Sequence, residues 1–156
     1  MQSLKIIFVC FVVLFGLCSS CFSESWISKI KDGKNWRTVH ATRIGLIGKI
    51  TASGERIEHH AIFVALPHKK ALGKQIAVKY KNRVIVCEVK DVGPHSIADS
   101  YVFTGKRPLA EQGRRIPSRW GRPRNKAGID LSDGLWRELG LSINKGMIKI
   151  TWKFLS

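Results

Sequence analysis

Residues 75–94 read QIAVKYKNRVIVCEVKDVGP, two alternating runs joined by a short polar link. In the first, Ile76, Val78 and Tyr80 fall on one face. In the second, Ile85, Cys87, Val89 and Asp91 fall on one face, and Val84, Val86, Glu88 and Lys90 on the other. A period of two is the signature of a half-buried strand, and Lys81-Asn82-Arg83 is short enough to turn the first strand back on the second, so the stretch is expected to be a β-hairpin. A carboxylate, Asp91, ends the second strand in phase with its apolar side, just before Gly93-Pro94.

The same period returns near the end of the chain, where Ile148, Ile150, Trp152 and Phe154 alternate with Lys149, Thr151 and Lys153. One helix is expected between them and the hairpin. Ser132 suits its N-cap, Asp133 its first turn, Leu131, Leu135 and Leu139 fall at i, i+4 and i+8, and Gly140 can end it. Trp136 and Trp152 lie in these periodic elements and are expected in the core. Several short strands with one short helix favour a small closed barrel over a layered α/β fold.

The chain has 156 residues, 44% of them hydrophobic, and 27 Lys+Arg against 11 Asp+Glu, which is material for one compact domain. Lys5 precedes an apolar run from Ile6 to Leu17 broken only by Gly16, and the run dissolves into Cys18, Ser19, Ser20 and Cys21. Such a run is too short to span a hydrocarbon core of about 30 Å and reads as a secretory signal peptide over residues 1–23. Residues 24–35 are then a polar lead-in and residues 36–156 the barrel domain. Export to the periplasm or cell envelope, or secretion, follows, with a lipid anchor at Cys21 as the variant reading. No other segment reads as a membrane span. Cleavage leaves 26 Lys+Arg against 11 Asp+Glu, a net +15. It also leaves Cys87 as the single cysteine, so no internal disulfide can form, and its apolar neighbours mark it as a buried thiol. A field of this strength outside the cytoplasm suits an anionic envelope polymer better than nucleic acid. It is concentrated in a loop at about residues 104–127, where eight basic residues and one acid, Glu111, lie between Lys106 and Lys126.

The usual catalytic signatures are missing: no nucleophile elbow, no His-Glu-x-x-His, no phosphate-binding glycine loop. Glu55, Glu58, His59 and His60 lack further spaced ligands, so neither a metal nor a cofactor is expected. Other short segments stand in a meaningful order. They are Thr51-Ala52-Ser53-Gly54-Glu55, Ala65-Leu66-Pro67 with Leu72-Gly73-Lys74, Val89-Lys90-Asp91-Val92-Gly93-Pro94, and Gly128-Ile129-Asp130-Leu131-Ser132. Together they resemble the rare lipoprotein A family of double-psi β-barrels, whose related barrels include expansins and barwin-like endoglucanases. The resemblance runs from about His40 to Leu141 and into the final strand. It implies a six-stranded double-psi β-barrel and lytic transglycosylase action on peptidoglycan, with 1,6-anhydro products. That chemistry needs one carboxyl group to protonate the glycosidic oxygen and one carboxylate to take the proton of the sugar's 6-hydroxyl.

On this resemblance Asp91 and Asp130 are the acid/base candidates, with Glu55 and His68 in support. Trp120, Tyr101, Arg114 and Arg115 are the candidates for substrate contact, and Trp26 and Trp36 are further candidates for stacking on sugar rings. Each acid also has a structural reading: Asp91 as the cap of the Gly93-Pro94 turn, Asp130 as a tie to loop amides, Glu55 as a solvated turn residue. Two departures from the family pattern bear on catalysis. Arg43-Ile44-Gly45 stands where the family carries Trp-Tyr-Gly. The histidine expected before the Leu-Pro pair is replaced by His68 after it. The stretch from His95 to Ala127 is also much longer than the family's link. Whether the chain is an enzyme therefore stays open at this level. The first reading is an exported, monomeric, peptidoglycan-acting lytic transglycosylase. The alternatives are a non-catalytic polysaccharide-binding or wall-loosening protein and a secreted basic interaction protein.

Overall fold

The computed structural model describes residues 30, 34–113 and 125–155. The signal peptide, Cys21, Trp26, Arg114, Arg115 and Trp120 of the sequence reading lie outside them. The chain divides into two units. Of Met1–Lys34 with Leu155, only Ile30, Lys34 and Leu155 are described, and Asn35–Phe154 contains the whole barrel. No described helix is long and apolar enough to cross a membrane.

Six strands build the barrel: β1 (Arg37–Arg43), β2 (Phe63–Leu66), β3 (Gln75–Tyr80), β4 (Arg83–Val92), β5 (Ile129–Leu131) and β6 (Ile148–Phe154). They close in the order β1-β5-β2-β4-β3-β6. Closure leaves no unpaired edge, so every strand can be short. β3 and β4 form the expected hairpin, with Ile76 opposite Cys87, Val78 opposite Ile85 and Tyr80 opposite Arg83. The β1–β5 and β2–β4 pairs are parallel and the others antiparallel.

The core lies inside the ring. Val39, Ala41, Val64, Leu66, Ile76, Val78, Cys87, Val89, Ile129, Leu131, Ile150 and Trp152 belong to one buried cluster. Trp136 and Trp152 are both fully buried, as their periodicity predicts. Trp136 donates its indole N–H to the Ser142 carbonyl. Burial in this apolar setting pushes the Cys87 thiol up to about 12, which keeps it protonated and unreactive.

Among the described residues from 34 to 155, two short α-helices stand where the sequence predicts one: α1 (Tyr101–Thr104) and α2 (Asp133–Glu138). Helix α2 starts as the sequence implies, with the Ser132 hydroxyl accepting the Leu135 N–H. The same hydroxyl accepts the Phe63 N–H and donates to the Ala61 carbonyl, so one N-cap also fixes the entry to β2. Helix α1 has a single turn and lies in the long stretch read as loop, where no apolar period can develop. Polar ties organise the described part of that stretch. Buried Asp99 accepts the Tyr101 N–H on Oδ1 and the Leu109 N–H on Oδ2, and the Tyr101 hydroxyl donates to the Gly128 carbonyl.

Gly134, in the first turn of α2, lies against the chain entering β2. A Cβ there would stand 2.4 Å from the His60 carbonyl oxygen and 2.5 Å from that of Ala61. Alanine normally favours a helix over glycine by up to about 1 kcal/mol. The overlap is with backbone, which no rotamer relieves, so the packing cost of about 1–3 kcal/mol should win. Gly134→Ala is expected to lower the urea midpoint of unfolding, and an unchanged or raised midpoint would show that α2 does not press on β2 as described.

Candidate functional site

Asp91 and Asp130 are brought into one row by a break in the strand alternation. β4 pairs with β2 with Val64 opposite Val89, and then Ala65 opposite Asp91, so Lys90 is an extra residue. A bulge of this kind exchanges the faces beyond it. Asp91 is therefore removed from the core face it shares with Val89 in a simple alternation and aligned with Ala65. On the other side of β2, Ala65 stands opposite Asp130, and Asp130 stands opposite Thr42 of β1. The row Asp91, Ala65, Asp130, Thr42 crosses four strands on the face opposite Val64, Leu66, Ile129 and Leu131. With strands spaced by about 4.8 Å, the two acids' backbones are about 10 Å apart.

The two carboxylates have different surroundings. Asp91 Oδ1 accepts the Ala52 N–H at 2.9 Å and its neighbour Val92's N–H at 2.8 Å. It thereby holds the Thr51–Glu55 turn against β4, helped by the Ser53 N–H, which donates to the Lys90 carbonyl at 3.0 Å. This is a capping role, although for a different turn from the Gly93-Pro94 turn considered in the sequence. Asp130 Oδ1 accepts the Thr42 hydroxyl, and a Cβ on Gly93 would stand 3.9 Å from Asp130 Oδ2.

Asp130 opens on a groove of about 590 Å³ lined also by Thr42, Arg43, Pro94, His95, Asn125 and the segment 143–147. Its carboxyl is raised from 3.8 to about 6, first by burial. The Thr42 hydrogen bond and the charge of His95 act downward, and the charge of Asp91 acts upward. His95 follows the cis Gly93-Pro94 bond with a φ of 61°, and its Nε2 lies 3.0 Å from Asn125 Oδ1. Arg43 is anchored beside the groove, with one guanidinium nitrogen donating to both carboxylate oxygens of buried Asp133 at 2.9 and 2.8 Å.

The other expected residues are placed elsewhere. Glu55 is exposed and pairs with Lys90 at 2.6 Å, and like Asp91 it does not line the groove. His68 caps the 3₁₀ turn Lys69–Ala71 by accepting the Lys70 N–H on Nδ1, and its ring packs edge-on against Phe103 at 4.9 Å. The structure does not bring it to Asp130. Tyr101 is only 1% exposed with its hydroxyl on Gly128, so it packs the core rather than offering a ring to substrate. The sequence reading did not single out Thr42, His95 or Asn125. Thr42 carries no signal of its own in the sequence, and its register opposite Asp130 needs the barrel. Among the described residues no cluster of His, Cys, Asp and Glu could hold a metal ion.

The closed six-stranded ring with its two parallel pairs is a double-psi β-barrel. The chain belongs to the family described as "Domain of unknown function (DUF8814)", matched over residues 34–151. Among solved structures it is similar to the Streptomyces papain inhibitor, with a TM-score of 0.50 and 20% identity over 79% of this chain and 96% of that one. It is also similar to a Clavibacter michiganensis expansin mutant in complex with cellohexaose, with a TM-score of 0.47 and 16% identity over 76% of this chain and 50% of that one. The apo expansin from the same organism gives a TM-score of 0.45 and 18% identity, again over 76% and 50%. The chain thus spans half the length of those expansin chains. A comparison with curated proteins gives no match.

The raised carboxyl has a consequence for stability. Between 3.8 and about 6 the folded state holds a proton on Asp130 that the unfolded state has released. Stability therefore falls as pH rises through that window and is flat above it, a loss of about 3 kcal/mol at most. Asp130→Asn keeps an oxygen for Thr42 and removes the charge. It should be more stable than the wild type at pH 7.5 by about 2–3 kcal/mol, with much of that difference lost near pH 4, as read by urea unfolding at both. An equal difference at both pH values would contradict the burial of this carboxylate.

Proposed function

We propose that the chain is an exported glycan-acting protein that holds an envelope polysaccharide, peptidoglycan by preference, in the groove over Asp130 and cleaves it as a lytic transglycosylase. The observation that carries the reading is the row in which Asp91 and Asp130 flank Ala65 beside an open polar groove. Asp130 is the general acid. It delivers its proton to the glycosidic oxygen as the bond to the anomeric carbon breaks. Asp91 is the base that receives the proton of the same sugar's 6-hydroxyl as that oxygen closes on the anomeric carbon. Water enters no bond, and proton exchange with solvent resets the pair. Further support comes from the four ordered segments that resemble the rare lipoprotein A family, and from the +15 charge expected of the mature chain.

A second reading, glycan binding without cleavage, is favoured by one specific feature. Asp91 Oδ1 is already committed to Ala52 and Val92, and Asp91 does not line the groove. On this reading Asp130 and Arg43 contact the sugar, and Asp91 only holds the turn.

Mass spectrometry of the fragments released from purified peptidoglycan decides between them. The enzyme reading expects 1,6-anhydro ends. Their rate should fall about tenfold for each pH unit above the Asp130 value of about 6, and Asp130→Asn should lower it by about 10²–10⁴-fold while sacculus binding persists. Binding without anhydro ends in the wild type would establish the second reading and end the first.

A further inference from the structure

A second groove, of about 510 Å³, lies at the other end of β1. It is lined by Asn35–Val39, by Tyr101 and Phe103–Pro108, and by Glu111. The first groove uses Thr42 and Arg43 of the same strand, and the two share no lining residue. Six residue steps separate Arg37 from Arg43, about 20 Å along a strand, so one ligand group cannot occupy both.

The walls are fixed by hydrogen bonds and a cation–ring contact. Arg37 donates to the carbonyls of Val102 and Phe103 and lies over the Trp152 ring at 4.9 Å, which locks helix α1 to β1. Glu111 accepts both the His40 backbone N–H, at 3.1 Å, and a contact from its Nδ1, at 2.8 Å. Burial alone would raise the Glu111 carboxyl, but the His40 hydrogen bonds outweigh it and hold the group below its ordinary value. The one acid among the groove's described residues is thus compensated. Its cations are Arg37, Lys106 and Arg107, and Arg107 is 65% exposed with its Nε 3.6 Å from Glu111. Half-buried Trp36 and exposed Phe103 supply the aromatic surface, and the Lys153 ammonium lies 5.2 Å from the Trp36 ring centre.

A concave surface with an aromatic ring, exposed cations and a compensated acid suits a ligand that combines a ring face with negative charge. We propose that this second groove binds an anionic glycan unit bearing a carboxylate or phosphate, with Trp36 against the sugar ring and Lys106 and Arg107 on the anion. Only the glycan class is taken from the functional reading above. The geometry is independent of Asp130. A strand engaged at both ends of β1 would be held at two points on one small barrel, and the link between them raises the overall affinity without new contacts.

Calorimetric titration of the purified chain with hexagalacturonate, a glycerol phosphate hexamer and neutral cellohexaose, and with hexathymidylate as a polyanion control, tests this. At least one anionic hexamer should bind about tenfold or more tightly than cellohexaose, and which one does so identifies the anion. Lys106→Gln with Arg107→Gln should bring that affinity down to the cellohexaose level, and Trp36→Ala should weaken it about tenfold with an unchanged thermal melt. Proton–nitrogen NMR should show the Trp36 indole and the Lys106 and Arg107 amides responding. Three results would overturn the proposal: equal binding of the charged and neutral hexamers, a response confined to Asp130 and Asn125, or equal binding of hexathymidylate with Trp36→Ala without effect. The second would leave the first groove's reading standing, and the third would mark the patch as a general polyanion surface. Failure of all the hexamers would overturn this proposal and leave the Asp130 groove to its own test on purified peptidoglycan.

Discussion

The pairing of Ala65 with two acids is the constraint on which the site depends. β2 has only four residues, all buried, and it is paired with β4 on one side and β5 on the other. The extra residue at Lys90 decides which β4 side chain meets Ala65. Without it, Asp91 would continue the inward face of Cys87 and Val89, a position that a carboxylate could hold only with a partner or by staying neutral. With it, Asp91 turns to the outer face, accepts the Ala52 and Val92 amides, and carries the Thr51–Glu55 turn to the barrel wall. The same register aligns Asp130 with Thr42, whose hydroxyl occupies one of its oxygens.

Burial and charge then act together on Asp130. Loss of water raises its carboxyl, Asp91 adds to that, and Thr42 and His95 pull the other way without restoring the ordinary value. Holding this carboxyl above its ordinary value costs stability near neutral pH. The surrounding frame is correspondingly firm. The Ser132 hydroxyl links α2 to β2, and Arg43 is pinned on buried Asp133, so the chain leaving β5 is tied to both β2 and β1. At the far end of β1, Asp99, Arg37 and Glu111 do the same for the long excursion, using hydrogen bonds and charge where apolar area is scarce.

The barrel was largely legible in the sequence because its inner face repeats with a period of two. Ile76 to Tyr80, Ile85 to Val89 and Ile148 to Trp152 obey it, until the alternation ends at buried Lys153, and the Ser132 N-cap and Gly140 mark α2. The alternation misplaced Asp91, since a bulge leaves no pattern in a stretch as short as Val89 to Val92. The two acids were found through motif order, whereas their shared neighbour Ala65 is visible only once β2 is inserted between β4 and β5. His68 and Tyr101 stand apart from the Asp130 groove for one reason. Both lie where the chain leaves regular strands, and there polar ties such as the Lys70 N–H on His68 and the Gly128 carbonyl at Tyr101 decide orientation, not periodicity. Thr42 and His95 could not be linked to Asp130 without the register and the turn that bring them to it.

The central claim is that the Ala65 row holds Asp130 as a proton donor beside its like-charged neighbour. Carbon-13 NMR titration of the Asp130 side-chain carboxyl measures this directly, in the wild type and in Asp91→Asn. The account predicts a midpoint near 6 in the wild type, shifted downward in Asp91→Asn because the repelling charge is gone. A wild-type midpoint at the ordinary aspartate value, or one that does not move when Asp91 is neutralised, would contradict it.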